Sequence, residues 1–524
     1  MLKHRVVTGL LLSSVVAGAC DAGGADASGA VDDQGVSAAE AEAAGSDVAP
    51  IEELPSDEEG ILALESLTLG STPSKFLKRL LVKVVRDLID ENGIEPLELP
   101  PPVSEELFEL GEALFYDKIL SGNMDTSCST CHHPRLGTTD RLTMNRGIRG
   151  TGVGPDRVGA LVGGRTTQPL WNLHALQTGL AVDHKVPLDS NGYVIPLGAP
   201  FIPFSWQDDA FDPNMLVAAG QAMMPEMTDQ EMLGFPGEND LTTECVLDNP
   251  PFNFVLCAWG RLMDRLGEIP EYVDMFEAAY PGVDFEDMHF AYAGNAIAAY
   301  QFWAFYANDT PWDRFIGRYD PATGTLIPGD DDALTFTQLL GARRFLDPDL
   351  GNCTSCHAGN AFTDESFHKT LAPQFGPGGT TPGGDGPGGL DDFGRMRISG
   401  DPDDKYAWRT PPLRNVMHTG PWGRQSHYNE IRDFLRHYRD PVQALLDYDI
   451  TESVDEVAMH SQFLENRAAI IAEGVDPLLA DVNVGGWLSV EVLVHFLHAL
   501  SDDQGPDFSH LIPLRVPSGL PVDP

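Results

Sequence analysis

Phe76, Leu80, Val82, Val85 and Leu88 fall on one helical face and predict that ordered structure begins with a helix near Lys75. Pro100 to Pro102 then punctuate the chain. Ser104 is suited to cap a second helix whose first turn carries Glu105 and Glu106, carboxylates that favour the positive end of a helix dipole. The apolar side of this helix is Leu107, Leu110, Leu114 and Phe115. Further helices are predicted at about 214–223, 254–266, 286–306, 428–438 and 488–500. In the last, Val490, Leu493, Val494, Leu497 and Leu500 form an apolar stripe, and Phe290, Ile297, Phe302, Trp303 and Phe305 of the 286–306 helix read as core. Connections rich in Gly and Pro run over 147–214 and 373–394, the second read as a mobile surface loop. The expected fold is mainly α with long irregular loops.

The helical pattern repeats. Leu110-Gly111, Phe115, Asp117 and Leu120 match Leu340-Gly341, Phe345, Asp347 and Leu350 at a constant separation of 230 residues. Each copy leads into the same pentapeptide form, Cys128-Ser-Thr-Cys131-His132 and Cys353-Thr-Ser-Cys356-His357. With seven Cys and fifteen His in the chain, chance would supply roughly 0.003 such pentapeptides. C-x-x-C-H suits covalent c-type haem: two thiols capture the vinyl groups, and the adjacent imidazole binds the iron. A thioredoxin-like pair or half of a zinc site is the competing reading, but zinc would need two more nearby ligands per motif. Two cytochrome c-like haem domains are expected, divided near Asp330-Asp331-Asp332 into residues 75–332 and 333–505, with 506–524 as a tail.

At 524 residues the chain has room for both. Its formal charge of -46 disfavours nucleic acid and anionic membranes and favours encounter with a basic partner, such as a small electron carrier, or else reflects a solvated acidic surface. Residues 1–20 run from Lys3 and Arg5 through an apolar stretch to Ala17-Gly18-Ala19-Cys20, an export signal too short to span a bilayer. Its ending resembles a bacterial lipobox in which Cys20 is lipidated; the alternative is ordinary cleavage after Ala19. Residues 21–74 hold no aromatic side chain and read as a disordered acidic tether. Periplasm or cell envelope is the expected location. After the haem motifs and Cys20, Cys245 and Cys257 remain, either a disulfide closing a short loop or two buried thiols.

From about Val103 to Ser501 the chain resembles the bacterial di-haem cytochrome c peroxidases and their MauG relatives. The landmarks are Leu114-Phe115-Tyr116-Asp117, Leu120-Ser121-Gly122, Cys128 to Pro134, Gln221 to Asn239, Gly359 to Asp364, Arg409 to Pro421 and the helix ending at Tyr438. The resemblance implies that His132 and His357 are proximal iron ligands. It implies that hydrogen peroxide reacts at the first haem, and that the second receives electrons. Taken alone, Glu231 beside Glu226, Asp229 and Glu238 is an ordinary acidic loop residue. Registration with the family puts Glu231 above the peroxidatic iron and Gln221 in the same pocket. Splitting peroxide requires a proton to move between its oxygens, which a carboxylate does.

The resemblance also gives Tyr438 as sixth ligand of the second haem, where electron-accepting peroxidases carry Met and MauG enzymes Tyr; a core tyrosine or ligation by His437 are the alternatives. It implies a calcium ion between the haems at Thr166, Thr419 and Pro421, with Thr166 standing where the family has Asn. The His that caps the first iron in many members has no counterpart in Met144 to Thr151, so that iron is expected to be open. The family's inter-haem Trp aligns with Val182, in Val182-Asp183-His184-Lys185, leaving Trp171 or Trp206 as replacements. The resulting expectation is a di-haem peroxidase fed by a small cytochrome or other donor. The alternatives are a MauG-like enzyme that oxidises Trp or Tyr of a partner protein, and a di-haem electron carrier without peroxide chemistry.

Overall fold

The computed structural model describes residues 75–176, 179–180, 186–187, 216–245, 251–375, 384–453, 457–503, 505 and 507–524. The export signal with Cys20, the tether, Val182 to Lys185 and Trp206 lie outside the described residues.

Helix α1 spans Lys75–Glu91 and buries Leu81, Val82, Val85, Leu88 and Ile89. Its buried stripe is rotated from the expected one, since Phe76 is 51% exposed. Helix α2 spans Glu105–Tyr116, and the Leu107 amide donates to the Ser104 hydroxyl at 3.1 Å, the predicted cap. Helices α3 (Phe290–Ala304), α4 (Phe336–Leu346) and α5 (Trp487–Ala499) complete two similar helix pairs, α2 on α3 and α4 on α5.

The crossings explain the glycines of the repeat. A Cβ at Gly111 would lie 1.9 Å from the Ala296 carbonyl oxygen, and one at Gly341 would lie 2.0 Å from that of Val492. Only a residue without a side chain lets these helix backbones approach so closely. The same register recurs beside them, with Tyr300 against Gly111 and Phe496 against Gly341.

Each pair seeds its own core. Leu110, Leu114 and Phe115 pack with Ile297, Tyr300 and Phe305, while Leu340 and Phe345 pack with Leu493, Phe496 and Leu497. The chain ends cross over between these cores. Helix α1 packs on α4 within the second core, together with Trp312 and Phe315. Val516, with Phe508, Ile512 and Leu520 against it, belongs to the first. Residues of 75–94 thus pack on the second haem motif's side, and residues of the 506–524 tail on the first. Each fully buried aliphatic side chain of α1 contributes about 1.5–3 kcal/mol to that union.

Strands are few. Three two-stranded antiparallel sheets pair Gly179–Leu180 with Val186–Pro187, Gly317–Tyr319 with Leu326–Pro328, and Phe367–His368 with Trp408–Arg409. The other predicted helices are observed at Leu216–Ala222, Pro251–Gly267 and Ile431–His437, and helices also form at Pro270–Ala279 and Val457–Ala472. Cys245 and Cys257 are disulfide-bonded, with Cα atoms 5.6 Å apart.

Of the 373–394 stretch, residues 376–383 lie outside the described residues, and the described parts on either side are anchored in the interior. Gln374, Phe375 and Asp392 are buried. The Gln374 side-chain amide donates to the Asp392 carbonyl at 2.8 Å, and Arg165 holds the Asp392 carboxylate through two bonds of 2.9 Å.

Candidate haem sites

Both C-x-x-C-H motifs form one tight turn, which brings residues three apart onto one face. The His132 amide donates to the Cys128 carbonyl and the His357 amide to the Cys353 carbonyl, each at 2.9 Å. None of the four motif cysteines is in a disulfide. Each imidazole is oriented from behind: His132 Nδ1 donates to the Thr138 carbonyl at 3.3 Å, and His357 Nδ1 to the Phe362 carbonyl at 3.0 Å. That fixes the tautomer with Nε2 as the lone-pair nitrogen, the form that binds iron. Burial lowers both imidazole pKa values, that of His132 to about 4, so both are neutral at pH 7.

The backbone also meets each imidazole from a second segment, through Gln168 for His132 and Pro411 for His357. These segments are a further part of the repeat. Thr167-Gln168-Pro169-Leu170-Trp171-Asn172 corresponds to Thr410-Pro411-Pro412-Leu413-Arg414-Asn415, and both asparagines take a left-handed backbone, φ 53° and 60°. Sequence inspection missed this pairing because the two spacings from motif to segment differ.

Beside the second motif lies a cavity of about 250 Å³ lined by Cys353, Cys356, His357 and Tyr438, with apolar walls that include Phe345, Leu413 and Leu497. Its thiols, neutral imidazole and apolar lining fit a covalently attached haem. Tyr438 and His437 both line this cavity, but they are engaged differently. His437 Nδ1 lies 2.9 Å from the Tyr428 hydroxyl and its Nε2 lies 2.6 Å from the Thr370 carbonyl, so both ring nitrogens are occupied. The Tyr438 hydroxyl has no hydrogen-bond partner among the described residues, and burial raises its pKa.

On the other motif, Glu231 sits in the middle of a π-helical turn, Asp229–Leu233. The Leu233 amide donates to the Thr228 carbonyl and the Gly234 amide to the Asp229 carbonyl, each at 3.1 Å and five residues apart. Such turns are uncommon and cluster at functional sites. This one is held from two sides. The Gly122 amide donates to the Met232 carbonyl at 2.7 Å, and the Ile148 amide to that of Gln230 at 3.3 Å. A Cβ at Gly147 would lie 1.8 Å from the Gln230 carbonyl oxygen, so the two backbones touch. Glu231 is half-buried and acts electrostatically on the Cys131 thiol. Gln221 comes from the preceding helix, and its buried Oε1 has no partner among the described residues.

A family model described as di-haem cytochrome c peroxidase matches residues 105–320. The cytochrome c551 peroxidase of Pseudomonas aeruginosa is 27% identical over 337 residues, covering 63% of this chain and 71% of that protein. Over this region the chain is similar to the di-haem cytochrome c peroxidases. The methylamine utilization protein MauG of Methylorubrum extorquens is 25% identical over 341 residues, covering 64% of this chain and 69% of the relative. A solved MauG-like protein associated with microbial copper homeostasis shares the fold, with a TM-score of 0.50 at 21% identity, covering 78% of this chain and 94% of that one.

Between the two motifs of this di-haem peroxidase relative, Thr166 to Pro169 forms a common wall. Gln168 meets His132 on one side, while Thr166, Gln168 and Pro169 line the second cavity on the other. The expected calcium residues Thr166, Thr419 and Pro421 all border that cavity. The Thr166 hydroxyl is already engaged, 2.6 Å from the Ser426 hydroxyl and 3.2 Å from the Leu142 carbonyl to which it donates. Trp171 belongs to the first core, where its indole donates to the Gly137 carbonyl at 3.1 Å. Trp408, unnoticed in the sequence, lines the second cavity with the Arg424 guanidinium 4.3 Å above its ring.

Proposed function

We propose that the protein is an exported di-haem c-type peroxidase that reduces hydrogen peroxide at the first haem with electrons entering through the second. The observation that carries this reading is the pinned π-helical turn that presents Glu231 beside Cys131, with the unpartnered Gln221 carbonyl oxygen on the preceding helix. The haem, when bound, supplies an iron that receives peroxide and passes electrons to it. Glu231 takes the proton from the near oxygen of peroxide and returns it to the far oxygen, which leaves as water. Gln221 orients the substrate. No His in Met144 to Thr151 competes for that face.

The formal charge of -46 favours a basic donor, such as a small cytochrome. A second reading, peroxide-dependent oxidation of Trp or Tyr in a partner protein, is favoured by Tyr438, whose free hydroxyl borders the second cavity while His437 is fully engaged. A phenolate ligand would favour the oxidised iron. The N-terminal residues support export to the periplasm, with Cys20 as a lipid anchor, and among the described residues no helix is long and apolar enough to cross a membrane. Calcium at Thr166, Thr419 and Pro421 is part of the proposal; removal of calcium by a chelator should then slow electron passage between the haems.

Stoichiometric peroxide added to the resting holoprotein tests the central reading. A changed Soret spectrum and peroxide loss are expected, and an unchanged spectrum would leave only the electron-carrier alternative. Replacing Glu231 by Gln should slow the spectral change by about two to four orders of magnitude.

A further inference from the structure

Glu226 lies five residues before Glu231, in the short 3₁₀ turn Pro225–Met227 between the Gln221 helix and the π-helical turn. It is fully buried, and neither carboxyl oxygen has a hydrogen-bond partner or an ion pair among the described residues. Its charge acts on the Cys128 thiol, and the Glu231 charge acts on it in turn. A buried carboxyl group without a donor is costly as a charge and tolerable only when protonated. The Glu231 charge also disfavours ionisation of Glu226, which therefore keeps its proton.

We propose that Glu226 is a proton-holding residue of the first haem pocket, a neutral carboxylic acid that works through Glu231 and supplies one of the two protons consumed when peroxide is reduced. Reduction of one peroxide takes two electrons and two protons and yields two waters. The electrons come from the external donor. One of the protons leaves the Glu226 O–H bond and ends in an O–H bond of water, by way of the Glu231 carboxylate. Glu226 is then re-protonated from solvent by the same route, since Glu231 is half-exposed. Burial, with Glu231 adding to it, pushes the Glu226 pKa up to about 8, so the proton is present at neutral pH. The proposal rests on the peroxidase reading for its step, and on the geometry alone for the proton.

Infrared difference spectroscopy of the holoprotein tests it. A carbonyl stretch of a protonated carboxyl group should be present at pH 7, shift in deuterium oxide, and fade as pH rises past about 8. E226Q should lack the band while keeping the resting optical spectrum. Absence of the band in the wild type, or its survival in E226Q, would overturn the proposal. In turnover with saturating donor, E226Q should lose on the order of tenfold or more in kcat with little change in KM for peroxide, and should lose the alkaline limb of the pH profile. A wild-type pH profile in E226Q would equally refute it. E226D should recover part of the rate, which a purely packing role would not predict. If the wild type consumes no peroxide, the peroxidase reading fails while the infrared band still decides whether Glu226 holds a proton. If E226Q does not fold, the wild-type band and its pH dependence decide alone.

Discussion

At His437 and Tyr438, neighbouring side chains on one cavity wall are distinguished by what they already bond. An imidazole with both nitrogens engaged would have to give up a hydrogen bond to bind an iron, whereas the Tyr438 hydroxyl gives up none among the described residues. Tyr438→Phe should therefore alter the electron paramagnetic resonance signal of the second haem and leave that of the first unchanged. His437→Gln should leave both signals in place and cost about 1–3 kcal/mol in stability through the Tyr428 and Thr370 groups it strands. Such distinctions were only partly legible in the chain. Tyr438 was reached by registration with a family, and what distinguishes it from His437 is hydrogen bonds to residues 9 and 67 positions away. Glu226 was passed over because composition makes it one more acid among Asp229, Glu231 and Glu238; its burial is a property of packing.

Among the elements, the helix crossings were the most legible, since the Gly111 and Gly341 repeat is a direct imprint of two close backbone contacts. Gly341→Ala should cost about 1–3 kcal/mol or more, because the added methyl meets a main-chain oxygen that cannot turn aside. Thermal unfolding of the holoprotein measures this. The 373–394 loop was the least legible, because what anchors it is 227 residues away in Arg165. Burial alone would raise the Asp392 pKa, but Arg165 and Arg424 overturn that and hold the carboxyl well below the usual range. A depressed folded pKa contributes stability that is present above the unfolded value near 3.8 and lost as pH falls below it. Acid unfolding should therefore steepen below about pH 4 in the wild type and less so in Asp392→Asn. That variant should also be about 3–5 kcal/mol less stable at pH 7, with two guanidinium groups left buried.

For the molecule as a whole, the charge of -46 makes a simple prediction. Turnover with a basic protein donor should show a KM that rises with salt, whereas a small neutral reductant should show none of that dependence. Two haem-bearing units were legible from the motifs and their repeat. The exchange of chain ends between them was not, because the contacts of α1 with the second core and of the tail with the first span most of the sequence.

The tail contact has a consequence for assembly. Asp523 accepts a hydrogen bond from Thr130, inside the first C-x-x-C-H turn, at 2.6 Å and across 393 residues, and it also pairs with Lys118. During synthesis this turn emerges long before its final strap exists. The first motif thus passes through an interval in which its two thiols sit on a unit not yet strapped by Asp523. Contacts this distant in sequence form late and slowly. The strap over the first turn is therefore among the last contacts the chain can make.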